Sequence, residues 1–408
     1  MFKSEIKTWV RICIFNLMLV AVLGSLMRFK IAFEFPLFVQ KNLLHSHSHF
    51  ALFGWISFVL MILIANNLGN KIPKKVTKQF RIIFISSLIC AYGMLISFAI
   101  QGYGLYSIFF STLSIILSFT FGGLYYKTTK SLAPTISRKW FITAIVFNIL
   151  SAVGICYLSY MMATKSYDQH MYLASVYWYL HFQYNGWFLF AVVGLIINHF
   201  ETFNIYIKHE KIIFWTLAIS CVPTYGLSVL WLDIGIWIFL LVIIGTALQL
   251  FGSYRLLTGV ITKDIISNLK LNLTTKILFG ISGLAFALKI LLQTFSTVPA
   301  ISKLAFGFRP IVIAYLHLVL LGIFTLFILG FLITEGYLRY SKLLKVSILT
   351  FVFGVFLNEI LLAFQGILSF GYVIIPYDNE LLLLAAIIMF TSMMMVFISQ
   401  VVKNYKTV

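Results

Sequence analysis

Three histidines occur in strongly apolar segments and share one local pattern. His49, His181 and His317 are each followed five positions later by a glycine and then by a bulky apolar residue. The interval from the first histidine to the second is nearly equal to the interval from the second to the third. Imidazole is a neutral nitrogen donor suited to heme iron and to copper, so the three side chains are candidate metal ligands.

Two further histidines precede the first member of this set. His47 lies two positions before His49, and His45 lies one helical turn before it. The sequence leaves open which of the three is a ligand. His45 is predicted to be an outer metal ligand or an interfacial residue.

The composition places these histidines in a membrane protein. Of 408 residues, 61% are hydrophobic and only 10% are charged, with a mean hydropathy of +1.01, which excludes an ordinary water-soluble surface. The net charge of +19 comes from 30 basic and 11 acidic residues, and the basic ones lie in short clusters between long apolar runs. We therefore interpret them as topology signals and expect a lipid membrane, not nucleic acid, as the partner.

Twelve apolar stretches are long enough to cross the hydrocarbon core, which needs roughly 20 residues per helix. No stretch alternates apolar and polar residues as barrel strands do, so the predicted fold is all-α, a single transmembrane domain of twelve helices over residues 1–408. The histidines lie on the second, sixth and tenth stretches. A unit of four helices that occurs three times along the chain would produce this spacing. The stretches are 9–27, 43–66, 82–101, 104–125, 140–162, 173–198, 212–231, 234–254, 277–296, 311–334, 346–368 and 381–402.

The basic residues also predict the orientation. The termini and the connections on their side carry 23 of the 30 basic residues, so both termini are predicted to be cytoplasmic, in a bacterial inner membrane. The second, sixth and tenth helices then run inward from the outer face. Each histidine of the repeated pattern lies at the same predicted depth, roughly 9–12 Å beneath the outer boundary.

Four other ionisable residues are candidates for function. Lys289 in the ninth stretch and Glu359 in the eleventh have comparable predicted depths, which favours a buried pair or two neutralised groups, with Glu359 as an alternative proton carrier. Arg28 and Arg309 lie at the predicted outer face. Either could bind heme propionates, or anchor the chain beside lipid phosphates.

This layout resembles subunit I of the heme-copper oxidase superfamily, which includes the nitric oxide reductases. The segment from His47 to Trp55 is similar to the His-x-His and Gly-Trp motif of C-type oxidases, although there the motif lies on the tenth helix. The resemblance implies three four-helix arcs and a low-spin heme held by His49 or His47 together with His317. It also implies that His181 is a copper ligand, with Tyr184 or Tyr177 one turn away as a proton or electron donor.

The chain departs from the family pattern at several ligand positions. Residues 212–231 contain no histidine, the tenth helix has only His317, and residues 369–380 contain no basic side chain for propionates. No CxxCH motif is present, so a heme would be non-covalent and an electron donor would be a separate subunit or a quinol. The alternatives are a non-catalytic heme- or copper-binding protein, for sensing, nitric-oxide tolerance or metal handling, and a proton-coupled transporter using Lys289 and Glu359.

Overall fold

The computed structural model describes residues 2–262, 271–371, 373 and 376–402, and every regular element among them is a helix. Four of the basic residues behind the predicted orientation, Lys263, Lys270, Lys403 and Lys406, lie outside the described residues. The helices are α1 (Phe2–Ala32), α2 (Gln40–Asn66), α3 (Lys74–Gln101), α4 (Leu105–Lys130), α5 (Ile136–Thr164), α6 (Gln169–Thr202), α7 (Glu210–Cys221), α8 (Gly235–Val260), α9 (Leu273–Phe295), α10 (Pro299–Gly307), α11 (Arg309–Thr334), α12 (Lys342–Ser369) and α13 (Asp378–Val401).

Within the described residues, eleven helices are long and apolar enough to cross a membrane, which fits an integral membrane protein. They coincide with eleven of the twelve predicted stretches. The remaining stretch, 212–231, is not one straight helix, because α7 ends at Cys221 and a 3₁₀ segment, Pro223–Ser228, follows. Proline has no backbone N–H and its ring clashes with the preceding turn, so an α-helix cannot continue unbroken through Pro223.

The chain divides into two compact units that interleave along the sequence. The first comprises residues 1–133, 273–279 and 325–408, and the second comprises 134–272 and 280–324. The helices α9 and α11 therefore contribute to both. In the first unit α1 packs against α2 and α13, and in the second α5 packs against α6.

The helices that carry the three histidines are the most buried of the eleven. In the most apolar stretch of α2, α6 and α11, 83%, 89% and 72% of the residues are buried inside the protein. The corresponding share in the other eight helices is 22–39%. Polar side chains on α2, α6 and α11 are thus enclosed by protein, where intramembrane functional groups are normally found.

Each of these three helices changes from α-helical to π-helical geometry part-way along its length. The π segments are Phe50–Ser57 in α2, Phe182–Phe188 in α6 and Leu318–Thr325 in α11. In a π-helix the hydrogen bonds run from residue i to i+5, and such segments are rare and frequent at functional sites. The π segments thus recur at matching positions of the three helices.

A glycine allows α6 to approach α5 closely within the second unit. A Cβ atom added to Gly186 would overlap the Cβ of Phe147 on α5, so the side chain of an alanine has no room there. The sequence predicts space for a flat ligand or a close helix at this glycine, and the structure shows the close helix.

We therefore expect Gly186→Ala to lower the free energy of unfolding in detergent by about 1–3 kcal/mol, the usual cost of overpacking a core. The melting temperature should fall with it. The matched control is Gly123→Ala on α4, where an added Cβ meets no atom within 4 Å. That change should be neutral or slightly stabilising, because alanine favours helix more than glycine does. Equal melting temperatures for the two variants would contradict the close packing of α5 and α6.

Candidate functional site

The histidines of the repeated pattern occupy the same place in their helices. His49, His181 and His317 are each the last α-helical residue before a π segment begins. The glycine five positions later lies inside the π segment in all three cases. The repeated sequence pattern therefore corresponds to a repeated backbone device, which we call the histidine–π unit.

Side chains of neighbouring helices satisfy backbone carbonyls in two of the π segments. The Asn16 amide on α1 donates to the Gly54 carbonyl at 2.7 Å, and the Tyr92 hydroxyl donates to the Asn16 side-chain oxygen at 2.7 Å. In the second unit of the chain, the Ser282 hydroxyl on α9 donates to the Ile323 carbonyl at 2.9 Å. Asn16 is fully buried, so its amide could not be left unpaired without a penalty.

A second repeated feature accompanies the histidines. Asn148 on α5 precedes His181 by the same interval in sequence as Asn16 precedes His49. The Asn148 side-chain oxygen accepts from the Gln183 amide in the π segment at 2.8 Å. Neither asparagine is among the residues that the hydropathy pattern singles out. Comparing the intervals from each polar residue to the histidines of the repeated pattern would have identified both.

The imidazole of His317 is oriented by its own helix. Its Nδ1 lies 2.8 Å from the Ile313 carbonyl oxygen. A carbonyl can only accept, so Nδ1 carries the proton and, in the neutral ring, the lone pair is on Nε2. Metal-bound histidines commonly donate their other ring N–H to a carbonyl in this way. No residue of Arg309–His317 is fully buried, so the helix before the π segment is partly accessible along its length.

His47 has the same tautomer for the same reason. Its Nδ1 lies 3.2 Å from the Val20 carbonyl oxygen of α1, so the lone pair of the neutral ring is again on Nε2. The ring packs beside Gly24, where an added Cβ would lie 3.4 Å from the His47 Cε1. His47 therefore faces α1, whereas His49 and His45 lie on another face of α2.

His49 and His45 belong to an aromatic group at the end of α3. The His49 ring stacks on Phe98 with centroids 4.4 Å apart, and its Nε2 lies 3.2 Å from the Tyr103 hydroxyl. The His45 ring meets Tyr103 edge-on at 4.7 Å. The buried Nε2 of His45 has no hydrogen-bond partner in the structure.

Hydrogen bonds engage both ring nitrogens of His181. It is completely buried; its Nε2 lies 2.8 Å from the Cys221 carbonyl and its Nδ1 lies 3.0 Å from the Asn185 amide nitrogen. The Asn185 side-chain oxygen in turn accepts from Lys289 on α9. The Cys221 carbonyl is available because α7 ends there, before Pro223.

Two tyrosines were predicted to lie near His181. Tyr184, in the π segment, is buried, and its ring centroid lies 6.3 Å from that of His181 and 6.1 Å from that of Tyr315. Tyr177 packs edge-on against Phe306 at 5.2 Å. Tyr184 is thus in ring contact with the histidine.

The remaining predicted residues are spread over the two units. Arg28 is half-buried near the end of α1, Arg309 is exposed at the first residue of α11, and Glu359 on α12 is half-buried. The Glu359 carboxylate accepts from the neighbouring Asn358 amide at 3.2 Å.

Lys289 is 2% exposed and has Asn185, within its own unit, as its partner. The ion pairs between described residues are Glu5–Arg81 at 2.5 Å and Lys139–Glu210 at 2.8 Å. The pairing of Lys289 with Glu359 stays a prediction of the sequence.

Across the described ranges, no group of three or more histidine, cysteine, aspartate or glutamate side chains is arranged to hold a metal ion. The predicted copper ligand His181 is therefore not a member of such a group. No protein-family model matches the chain, and a search of curated proteins finds no match.

The Lys289–Asn185 contact can be measured by a double-mutant cycle. Lys289→Met should lower the unfolding free energy by about 1–3 kcal/mol, because a buried amide oxygen then loses its donor. With Asn185→Leu, residues in contact should show a coupling energy of about 0.5–3 kcal/mol.

The comparison cycle pairs Lys289→Met with Glu359→Gln and tests the pair that the sequence predicts. If the Glu359 cycle shows the coupling and the Asn185 cycle shows none, Lys289 has the partner that its depth suggests and not the one in the structure. Thermal melts in one detergent provide all the required free energies.

Proposed function

We propose that this chain is a membrane-embedded heme protein with a redox role, resembling subunit I of the heme-copper oxidases and nitric oxide reductases. His317 would hold the heme together with His47 or His49. The heme, bound non-covalently, would supply one-electron chemistry, with a separate electron-donor subunit or a quinol as the source of electrons. Reduction of oxygen or nitric oxide is the catalytic form of this proposal.

The contact between the His317 Nδ1 and the Ile313 carbonyl is the observation that carries the proposal. With Nδ1–H bound to the Ile313 carbonyl, Nε2 is the nitrogen able to donate its lone pair to iron. The carbonyl also raises the basicity of the ring and fixes its orientation. Because the residues before the π segment are partly accessible, the ring lies where protein packing is least complete along α11.

His47 and His49 are both candidates for the second ligand. The Nδ1 of His47 lies 3.2 Å from the Val20 carbonyl, and the Nε2 of His49 lies 3.2 Å from the Tyr103 hydroxyl. His45 stays the candidate for an outer ligand. Arg28 and Arg309 remain our candidates for the propionates.

The hydrogen bonding at His181 favours a second candidate function, a heme protein without catalytic turnover that serves in sensing, nitric-oxide tolerance or metal handling. Copper at His181 would have to displace Asn185 or the Cys221 carbonyl from a ring that is fully buried. The residues present do not fit that metal, so no reaction step is assigned to it. Tyr184 and Glu359 keep their proposed roles as proton donors only in the catalytic form.

We expect the purified protein to show a Soret band and the spectrum of six-coordinate, bis-imidazole heme. His317→Gly should remove the six-coordinate signature, and of His47→Gly and His49→Gly one should remove it while the other leaves it in place. Addition of free imidazole to His317→Gly should restore the spectrum, because the small ligand can occupy the space left by the ring. Optical spectra of the oxidised and dithionite-reduced forms provide the measurement.

Rescue by imidazole separates a lost ligand from a lost fold. Protein from heme-replete cells that has no Soret band would contradict the heme proposal and favour the proton-coupled transporter. An unchanged spectrum in His317→Gly would show that α11 is not the ligand helix.

A further inference from the structure

A buried chain of hydrogen bonds, which we call the His181 centre, joins Lys289, Asn185, His181 and the Cys221 carbonyl. The carbonyl can only accept, so His181 donates from Nε2 and has its lone pair on Nδ1. The Asn185 amide nitrogen donates to that lone pair, and its oxygen then faces Lys289, which donates to it. The donor and acceptor of each hydrogen bond therefore fix those of the next, so that every bond donates in the same sense, from the lysine towards the carbonyl.

In this hydrogen-bonding arrangement, neither ring nitrogen of His181 has a lone pair available for a metal ion. Nδ1 accepts from Asn185, and Nε2 holds the proton shared with Cys221. His181, Asn185 and Lys289 are all 2% exposed or less, so water cannot readily replace a lost partner. A metal at either nitrogen would leave the amide, the amino group or the carbonyl unpaired.

Asn185 occupies the position beside His181 Nδ1 where a metal ion would have to bind, and Lys289 holds Asn185 there. The lysine approaches from α9 and donates to the oxygen of the same amide whose nitrogen contacts His181. In its ammonium form a lysine also repels a metal cation at short range. Among the described residues, His181 belongs to no group of three or more histidine, cysteine, aspartate or glutamate side chains that could hold a metal ion.

We propose that Lys289, through Asn185, closes the His181 centre to copper and other transition metals. A second consequence rests on the proposed function: if the chain binds heme, it does so without a second metal beside it. Such a heme would act in electron transfer or in binding a gas. The histidine–π unit of α6 then has a structural role.

The first test compares the purified full-length protein with His181→Gln, which keeps a hydrogen-bonding side chain but removes the imidazole. Both are equilibrated with Cu²⁺ and separately with Co²⁺, freed of excess metal by gel filtration, and analysed by mass spectrometry. We expect the two proteins to retain equal amounts of metal. About one ion per chain in the original protein that is absent from His181→Gln would overturn the proposal.

The second test replaces the two residues that close the His181 centre. Asn185→His with Lys289→His adds two imidazoles at the positions that now close His181, and should bind about one Co²⁺ per chain with visible ligand-field bands. The control, Asn185→Leu with Lys289→Met, removes the same groups without adding ligands and should bind none. A double-histidine variant that keeps its size-exclusion profile yet binds no Co²⁺ would contradict the placement of Lys289. If that variant does not fold, the first test decides alone.

Heme is quantified in the same samples from its absorbance, so the two proposals are separable. Absence of heme with no metal at His181 would overturn the proposed function and leave the closed centre standing. Copper at His181 in a heme-containing protein would overturn the closed centre and support the catalytic form of the proposed function.

Discussion

Inside a membrane, every backbone N–H and C=O needs a partner within the protein, because lipid offers none. Three of the helices in this chain leave regular α-helical geometry within the apolar stretch, and each does so immediately after a histidine. Such an irregularity is tolerated only where protein encloses it. The three helices concerned are accordingly the most buried ones, and buried side chains such as Asn16 and Ser282 bind the carbonyls of the π segments.

The same constraint decides the chemistry of each histidine. A carbonyl next to one ring nitrogen fixes the proton there and assigns the lone pair to the other nitrogen. At His317 and His47 the carbonyl is at Nδ1, which presents Nε2 as the donor atom. At His181 the carbonyl is at Nε2, and Asn185 engages the nitrogen that remains. Histidines that look alike in the sequence thus have two different capacities for binding a ligand.

Hydropathy was enough to predict the all-α architecture, and the repeated histidine–glycine spacing identified the three helices that contain π segments. Hydropathy could not detect the break at Pro223, because residues 212–231 remain apolar on both sides of it. Hydropathy also could not predict the π segments. The wider turn of a π-helix extends over only seven or eight residues, and it does not change the hydropathy of an apolar sequence.

The sequence did not identify Asn185 as a partner of Lys289, for a geometric reason. Matched depth along two helices says nothing about the direction in which a side chain leaves its helix axis. Glu359 was therefore as good a candidate as Asn185, which is polar but uncharged and did not draw attention. By contrast, the equal intervals from Asn16 and Asn148 to the histidines of the repeated pattern were available in the sequence.

Our central proposal is that His317 binds heme together with His47 or His49, while His181 is closed to metal by Asn185 and Lys289. Heme and transition metals determined together on one purified sample, by pyridine hemochrome absorbance and mass spectrometry, test it most directly. We predict about one heme per chain, with iron equal to heme and no copper in proportion to protein. Copper in equal amount to heme, or protein with neither, would contradict it.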